Sequence, residues 1–189
     1  MPSYAEYESY LNLPQVRATL DTIAWAEGAN YNTLFGGGTF TIGGAHPNRR
    51  IPFGNTYSTA AGRYQFLKST WDSLGLPNMS ERNQDIGALM LIQRRGALDE
   101  ILDGDFLGAL RSKALGREWA SLPYSPYGQT NRTESSVLNY YNSALAVLGG
   151  QPVNVPDGGD VPQPSTPSSS NIMLYVLGFA LFVLIIDEI

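Results

Sequence analysis

Ile23-Ala24-Trp25-Ala26-Glu27-Gly28 closes the run of residues whose pattern decides how this chain is read. Upstream of it, Leu13, Val16, Leu20 and Ile23 recur at spacings of three and four, the signature of one buried helix face. Position 27 is next on that stripe, and a carboxylate occupies it. Gly28 follows, and glycine just past a helical run is the usual helix stop. The spacing predicts a helix over residues 14–27 with Glu27 at its C-terminal end. Two readings stay open at this level. Glu27 either reaches solvent as the helix finishes, or is partly buried beside the negative end of the helix dipole. In the second case both effects disfavour the ionised form and raise its pKa, as a general acid working near neutral pH requires.

The remaining composition narrows the function classes. With 189 residues, 43% of them hydrophobic and 15% charged, the chain is long and apolar enough for one medium domain with a real core. All 12 Lys and Arg lie in residues 1–148, so residues 149–189, with four acids, carry no base. No basic patch of the kind nucleic-acid binding needs is present. Cysteine is absent, which excludes disulfides, thiolate metal sites and a Cys nucleophile. His46 is the single histidine; a Ser-His-Asp site would have to use it, and a multi-histidine metal site is excluded. No metal or cofactor is expected. The first residues lack the basic and apolar regions of a secretory signal peptide.

Three parts are expected. Residues 1–148 form the main domain. Within it, residues 29–60 have turn and short-strand composition, with Thr39-Phe40-Thr41-Ile42 between glycine clusters, and read as a lobe of loops with one hairpin. Helical character returns over 62–75, 81–95, 97–103, 105–116 and 133–148, with Ser80 and either Asn131 or Thr133 as N-caps. Residues 119–132 read as a structured loop. Residues 149–171 hold five Pro, four Gly and four Ser, which is linker composition. Residues 172–186 are uninterrupted and apolar, and 172–189 are expected to be a membrane anchor rather than a last core helix. Fifteen helical residues cover about 22 Å of a roughly 30 Å hydrocarbon core, a gap that Asn171 and the terminal acids can bridge.

Several blocks then occur in register: Ile23-Ala24-Trp25-Ala26-Glu27-Gly28, Gly36-Gly37-Gly38-Thr39-Phe40-Thr41, His46-Pro47, Ser58-Thr59-Ala60-Ala61-Gly62-Arg63-Tyr64-Gln65, Trp71-Asp72, Arg95-Gly96-Ala97-Leu98, and Trp119-Ala120-Ser121-Leu122-Pro123 through Tyr127-Gly128-Gln129. In these the chain, over about residues 15–145, resembles the phage lambda lysozyme family, lytic transglycosylases of peptidoglycan. The resemblance implies an α+β, mostly helical lysozyme-like fold with a small loop and β-hairpin lobe, here joined to a single C-terminal transmembrane helix. It implies that Glu27 is the catalytic residue. Ser58, Arg63, Tyr64 and Gln65 would line the saccharide cleft, and Tyr127 and Gln129 its far wall, with His46 either binding substrate or capping a turn. Arg63 as an ion-pair partner and Tyr64 as a core residue remain open, and Trp25, Trp71 and Trp119 are expected in the core rather than as sugar platforms. The chain departs from the family at Ile42-Gly43-Gly44-Ala45, where relatives tend to carry aspartates.

Hydrolysing glycosidases usually use two carboxylates. No Asp or Glu occurs between Gly28 and Trp71, which removes a second acid from the lobe after the helix and favours a one-acid mechanism. Asp72 folding back into the cleft would restore hydrolysis. The partners expected are peptidoglycan glycan strands and, through residues 172–186, a lipid membrane. With no signal peptide, that anchor places the enzyme in the internal membrane of a virion, or alternatively in the host inner membrane facing the periplasm. A hydrolytic muramidase, or a non-catalytic peptidoglycan-binding virion protein, are the rival functions.

Overall fold

Pro14 in the first turn, where its missing N–H costs nothing, and Gly28 at φ 64° just past the last bound helix α2, Pro14–Glu27. The predicted stripe is its inward face: Val16, Leu20 and Ile23 are fully buried. Helix α8, Glu134–Val147, lies along α2, and the two make the largest interface between elements of the structure, a computed structural model that describes residues 1–127 and 131–153. Val137, Leu138, Tyr141 and Leu145 of α8 face the core, and Tyr140 stacks on Trp25 with ring centroids 4.6 Å apart.

A helix precedes α2 where only a lead-in was expected. In α1, Tyr4–Tyr10, the Ser3 hydroxyl accepts from the Glu6 N–H while the Glu6 carboxylate accepts from the Ser3 N–H. This capping box is the Ser-x-x-Glu signal at residues 3–6, and it docks α1 on α4 through buried Tyr7. Helices α3 (Lys68–Leu74), α4 (Glu81–Arg94), α5 (Leu98–Leu102), α6 (Phe106–Arg111) and α7 (Ala114–Glu118) fill the remaining expected helical segments. Two boundaries differ. The stretch 62–67 is a turn, because Gly62 at φ 82° and Gln65 at φ 50° are left-handed. The predicted helix 105–116 breaks at Lys113, also left-handed at φ 65°. Ser80 and Thr133 cap α4 and α8.

The lobe contains one hairpin, β1 (Ile51–Phe53) and β2 (Thr56–Ser58), with Ile51 opposite Ser58. Gly54 at φ 54° opens its two-residue turn, the glycine-first pattern that such hairpins favour. Thr39-Phe40-Thr41-Ile42 supplies only a bridge from Thr39 to Thr33. Phe35, Ala60 and Leu67 form a small satellite core beneath the hairpin.

Past α8 the chain folds back. Gly149 is left-handed, the Gly150 N–H bonds to the Leu145 carbonyl at 2.9 Å, and Asn142 and Val153 exchange two hydrogen bonds of 2.8 Å.

The expected fold class is corrected in one respect. The arrangement is α+β without a transmembrane helix among the described residues. The longest helices there have 14 residues, about 21 Å, and none is long and apolar enough to cross a membrane. The expected anchor, 172–189, and most of the expected linker, from 154 on, lie outside the described residues.

Candidate functional site

Because Glu27 continues the buried stripe of α2, its carboxyl group faces inward: it is only 6% exposed. The loop after α7 closes over it. There the Ser121 hydroxyl donates to Glu27 Oε1 at 2.6 Å. Burial pushes the Glu27 pKa up to about 8, against the Ser121 hydrogen bond and the Arg132 charge, which both favour the ionised form. The acid is therefore neutral at pH 7. Ser121 holds Oε1, which leaves Oε2 as the oxygen that carries the proton. Arg132 is set by its own contacts: its guanidinium lies 4.1 Å over the Trp25 ring, and its backbone N–H bonds to the Ser121 carbonyl at 2.9 Å.

Glu27 opens into a cavity whose wall includes Ser58, Tyr64 and Gln65 on the lobe side and Glu118 and Trp119 on the other. Their polar atoms are already engaged. Ser58 Oγ accepts from the Ala60 N–H at 3.1 Å, and Gln65 Nε2 donates to the Gly62 carbonyl at 2.8 Å. The Trp119 indole N–H donates to the Tyr64 carbonyl at 3.3 Å, tying the two walls together. The Tyr64 hydroxyl turns away from the cavity and donates to buried Asp85 at 2.6 Å.

Asp85 is the centre of a polar network behind that wall. It takes a second donor from Tyr31 at 3.0 Å and an ion pair from Arg17 at 2.6 Å. Arg63 completes the network, pairing with Asp21 at 2.6 Å and reaching Asp85 at 3.8 Å. Arg63 thus stands in the ion-pair role and outside the cavity wall, and Tyr64 is buried in the core while also bordering the cavity.

His46 is 6% exposed. Its Nδ1 accepts from the Asn48 N–H at 3.1 Å, so Nε2 carries the hydrogen and donates to the Phe66 carbonyl at 2.9 Å. Burial lowers its pKa, which keeps this neutral tautomer. The ring pins the loop at 45–50 to the turn that lines the cavity. Tyr127 donates to the Arg117 carbonyl at 3.1 Å, away from the cavity wall, and Gln129 lies outside the described residues. Trp71 and Trp119 are buried, and Trp25 is half-buried between Tyr140 and Arg132.

Asp72, the acid considered as a second carboxylate, is exposed and paired with Lys68. The second carboxylate of the wall is instead Glu118, which sequence reasoning missed; it is held by Arg95 at 2.8 Å. Ser121 and Asp85 were missed too. The only signal for Ser121 and Glu118 was their place in or beside the block Trp119–Pro123. Among the described residues no group of three or more His, Asp or Glu side chains converges as a metal site requires.

The endolysin family profile matches residues 17–148. The endolysin of Escherichia phage lambda is 36% identical over 145 residues, covering 69% of this chain and 90% of that protein. The endolysin of Escherichia phage P2 is 39% identical over 95 residues, 48% of this chain and 56% of that protein. Bacteriophage lambda lysozyme complexed with a chitohexasaccharide superposes with a TM-score of 0.64 at 35% identity, covering 73% of this chain and 96% of that one. A second structure of lysozyme from bacteriophage lambda gives 0.61 at 33% identity over the same shares. The lambda relatives are matched over nearly their whole length, the family profile ends at residue 148, and no described helix suits a membrane. The expected placement in a virion's internal membrane or the host inner membrane is therefore withdrawn, and with it the membrane as a partner. The chain belongs to the endolysin family, cell-wall lytic enzymes on the lambda-lysozyme fold.

Proposed function

We propose that this endolysin is a peptidoglycan lytic transglycosylase with Glu27 as its catalytic acid and base. Neutral Glu27 donates its Oε2 proton to the glycosidic oxygen between N-acetylmuramic acid and N-acetylglucosamine. The bond from the muramic anomeric carbon to that oxygen breaks. The Glu27 carboxylate then takes the proton of the muramic acid's own 6-hydroxyl, whose oxygen bonds to the anomeric carbon and closes a 1,6-anhydro ring. Glu27 ends protonated, and no water is consumed. The observation that carries this reading is a buried carboxyl group held neutral up to about pH 8 at the cavity wall. The lobe without acids supports the absence of a partner on that side. Ser58, Tyr64 and Gln65 shape the wall against the sugar. The chitohexasaccharide held by lambda lysozyme in its complex supports a glycan as the occupant of the cleft.

One observation favours hydrolysis as a second reading: Glu118 lines the same cavity as Glu27, and hydrolysing glycosidases usually use a second carboxylate. Its pairing with Arg95 favours a fixed structural anion instead. Mass spectrometry of digested cell walls separates the two. Anhydro-muramic ends, one water lighter, are the expected product, and reducing muramic ends would sink the transglycosylase reading. A turbidity assay on purified walls tests activity itself, and an inert protein there would make it a binder.

A further inference from the structure

The acid-free stretch carries four cations, Arg49, Arg50, Arg63 and Lys68. Arg63 is held by Asp21 and Lys68 by Asp72. Arg49 and Arg50 are exposed, and among the described residues no carboxylate pairs with either. Two solvated arginines are ordinary on a surface. Arg49, however, lines a groove, and Arg50 follows it in the chain.

An open groove is lined by Thr39, Phe40, Thr41, Ala45, Pro47 and Arg49, with two hydroxyls and a guanidinium as its polar groups. Its frame is fixed on both sides. His46, pinned to the Phe66 carbonyl and to the Asn48 N–H, sets one rim. The Gly43 N–H to the Met79 carbonyl at 3.2 Å and the Met79 N–H to the Gly44 carbonyl at 2.7 Å set the other. Arg50 is stacked 3.5 Å over the Tyr57 ring, which orders its fork while leaving the in-plane N–H groups free to meet a planar anion. The chain runs from these arginines straight into the hairpin that borders the cleft. Ser58 lines the Glu27 cavity and stands opposite Ile51, so Arg50 is one residue beyond the cavity wall across the hairpin.

We propose that Arg49 and Arg50, with the Thr39–Arg49 groove, form a subsite for the carboxylates of the peptide stems carried by muramic acid. This rests on the reading of the cleft as a glycan site. The glycan backbone itself offers no anion to these cations, whereas the stem carries several carboxylates. A stem of four residues extends about 14 Å from the strand, enough to leave the cleft and cross the hairpin edge. Residues 42–45, Ile-Gly-Gly-Ala, carry no acid that would repel the stem or neutralise the arginines.

The test is calorimetric binding of two soluble probes to full-length Glu27→Gln, the disaccharide GlcNAc-MurNAc with its tetrapeptide and the same peptide-free disaccharide with its lactyl carboxyl group capped as a neutral amide. The stem-bearing probe is expected to bind about tenfold tighter at low salt, with the advantage lost at high ionic strength. Arg49→Gln with Arg50→Gln is expected to erase that advantage and leave the peptide-free affinity unchanged. Arg49→Lys with Arg50→Lys retains part of it, and that retention, with an unchanged unfolding midpoint, separates a charge effect from damage to the lobe. Equal affinities in the parent, or a stem preference that survives the double Gln variant, would overturn the proposal. Stem preference with no cleavage of walls by the unmutated chain would instead overturn the catalytic reading and leave the subsite standing.

Discussion

At the scale of residues, the proposed mechanism turns on one protonation equilibrium. Glu27→Gln keeps the size of the side chain and an acceptor for Ser121 but has no proton to give; wall-clearing activity is expected to drop at least about a thousandfold, read by turbidity. In the unmutated enzyme, activity should fall as pH rises through about 8, where Glu27 loses its proton. Ser121→Ala removes a hydrogen bond that favours the carboxylate, so the alkaline limb of the pH–rate profile should move up by about one unit. The same equilibrium acts on stability. The folded pKa, about 8, lies above the ordinary 4.5, so between these values the unfolded chain has released a proton that the folded chain keeps. Stability contributed by this group is then whole below about pH 4.5 and is lost as pH rises to 8. Glu27→Gln escapes that loss, and urea unfolding should find it about 2–4 kcal/mol more stable than the parent at pH 8 and equal to it near pH 4.5.

At the scale of elements, the turn at residues 62–67 carries much of the cavity wall and depends on two left-handed residues. A Cβ at Gly62 would come within 2.3 Å of Gln84 Oε1. That amide oxygen accepts from the Arg63 N–H at 2.8 Å while its nitrogen donates to the Tyr31 and Met79 carbonyls. Gly62→Ala therefore combines backbone strain with the loss of a buried amide's bonds and should cost at least about 2 kcal/mol by urea unfolding, with activity falling alongside. Tyr64→Phe should cost about 1–3 kcal/mol, because Asp85 loses a buried donor. These elements also show where sequence reading works. Local signals sufficed for α2, whose stripe, Pro14 and Gly28 fix both ends, and for the cap at Ser80, while they left the cap of α8 between Asn131 and Thr133. The capping box at Ser3 and Glu6 was equally legible but went unread. The turn at 62–67 and the break at Lys113 were not legible, because in each a non-glycine residue adopts a left-handed conformation that only tertiary contacts enforce.

At the scale of the whole molecule, the place of Glu27 at the end of α2 was legible because that helix announces itself locally, while its burial was left open. Its neighbours were not legible: Ser121 is 94 residues away in the chain, and nothing in a serine's surroundings announces so distant a partner. The membrane reading had the opposite fault, resting on a local apolar run with no tertiary fact to set against it. The fold-back of residues 149–153 onto α8 predicts that a chain ending at Val153 keeps the unfolding midpoint of the full chain and its lytic activity, checked by thermal melts and turbidity. The pairing of α2 with α8 also bears on synthesis. Glu27 emerges from the ribosome early, but Ser121 in the loop that closes over it follows 94 residues later, and helix α8 later still. Until they arrive the carboxyl group is solvated and ionised at cellular pH, and it has no proton to donate. On the proposed mechanism, a chain that ends before α8 carries a Glu27 with no proton to give and is expected to be inert.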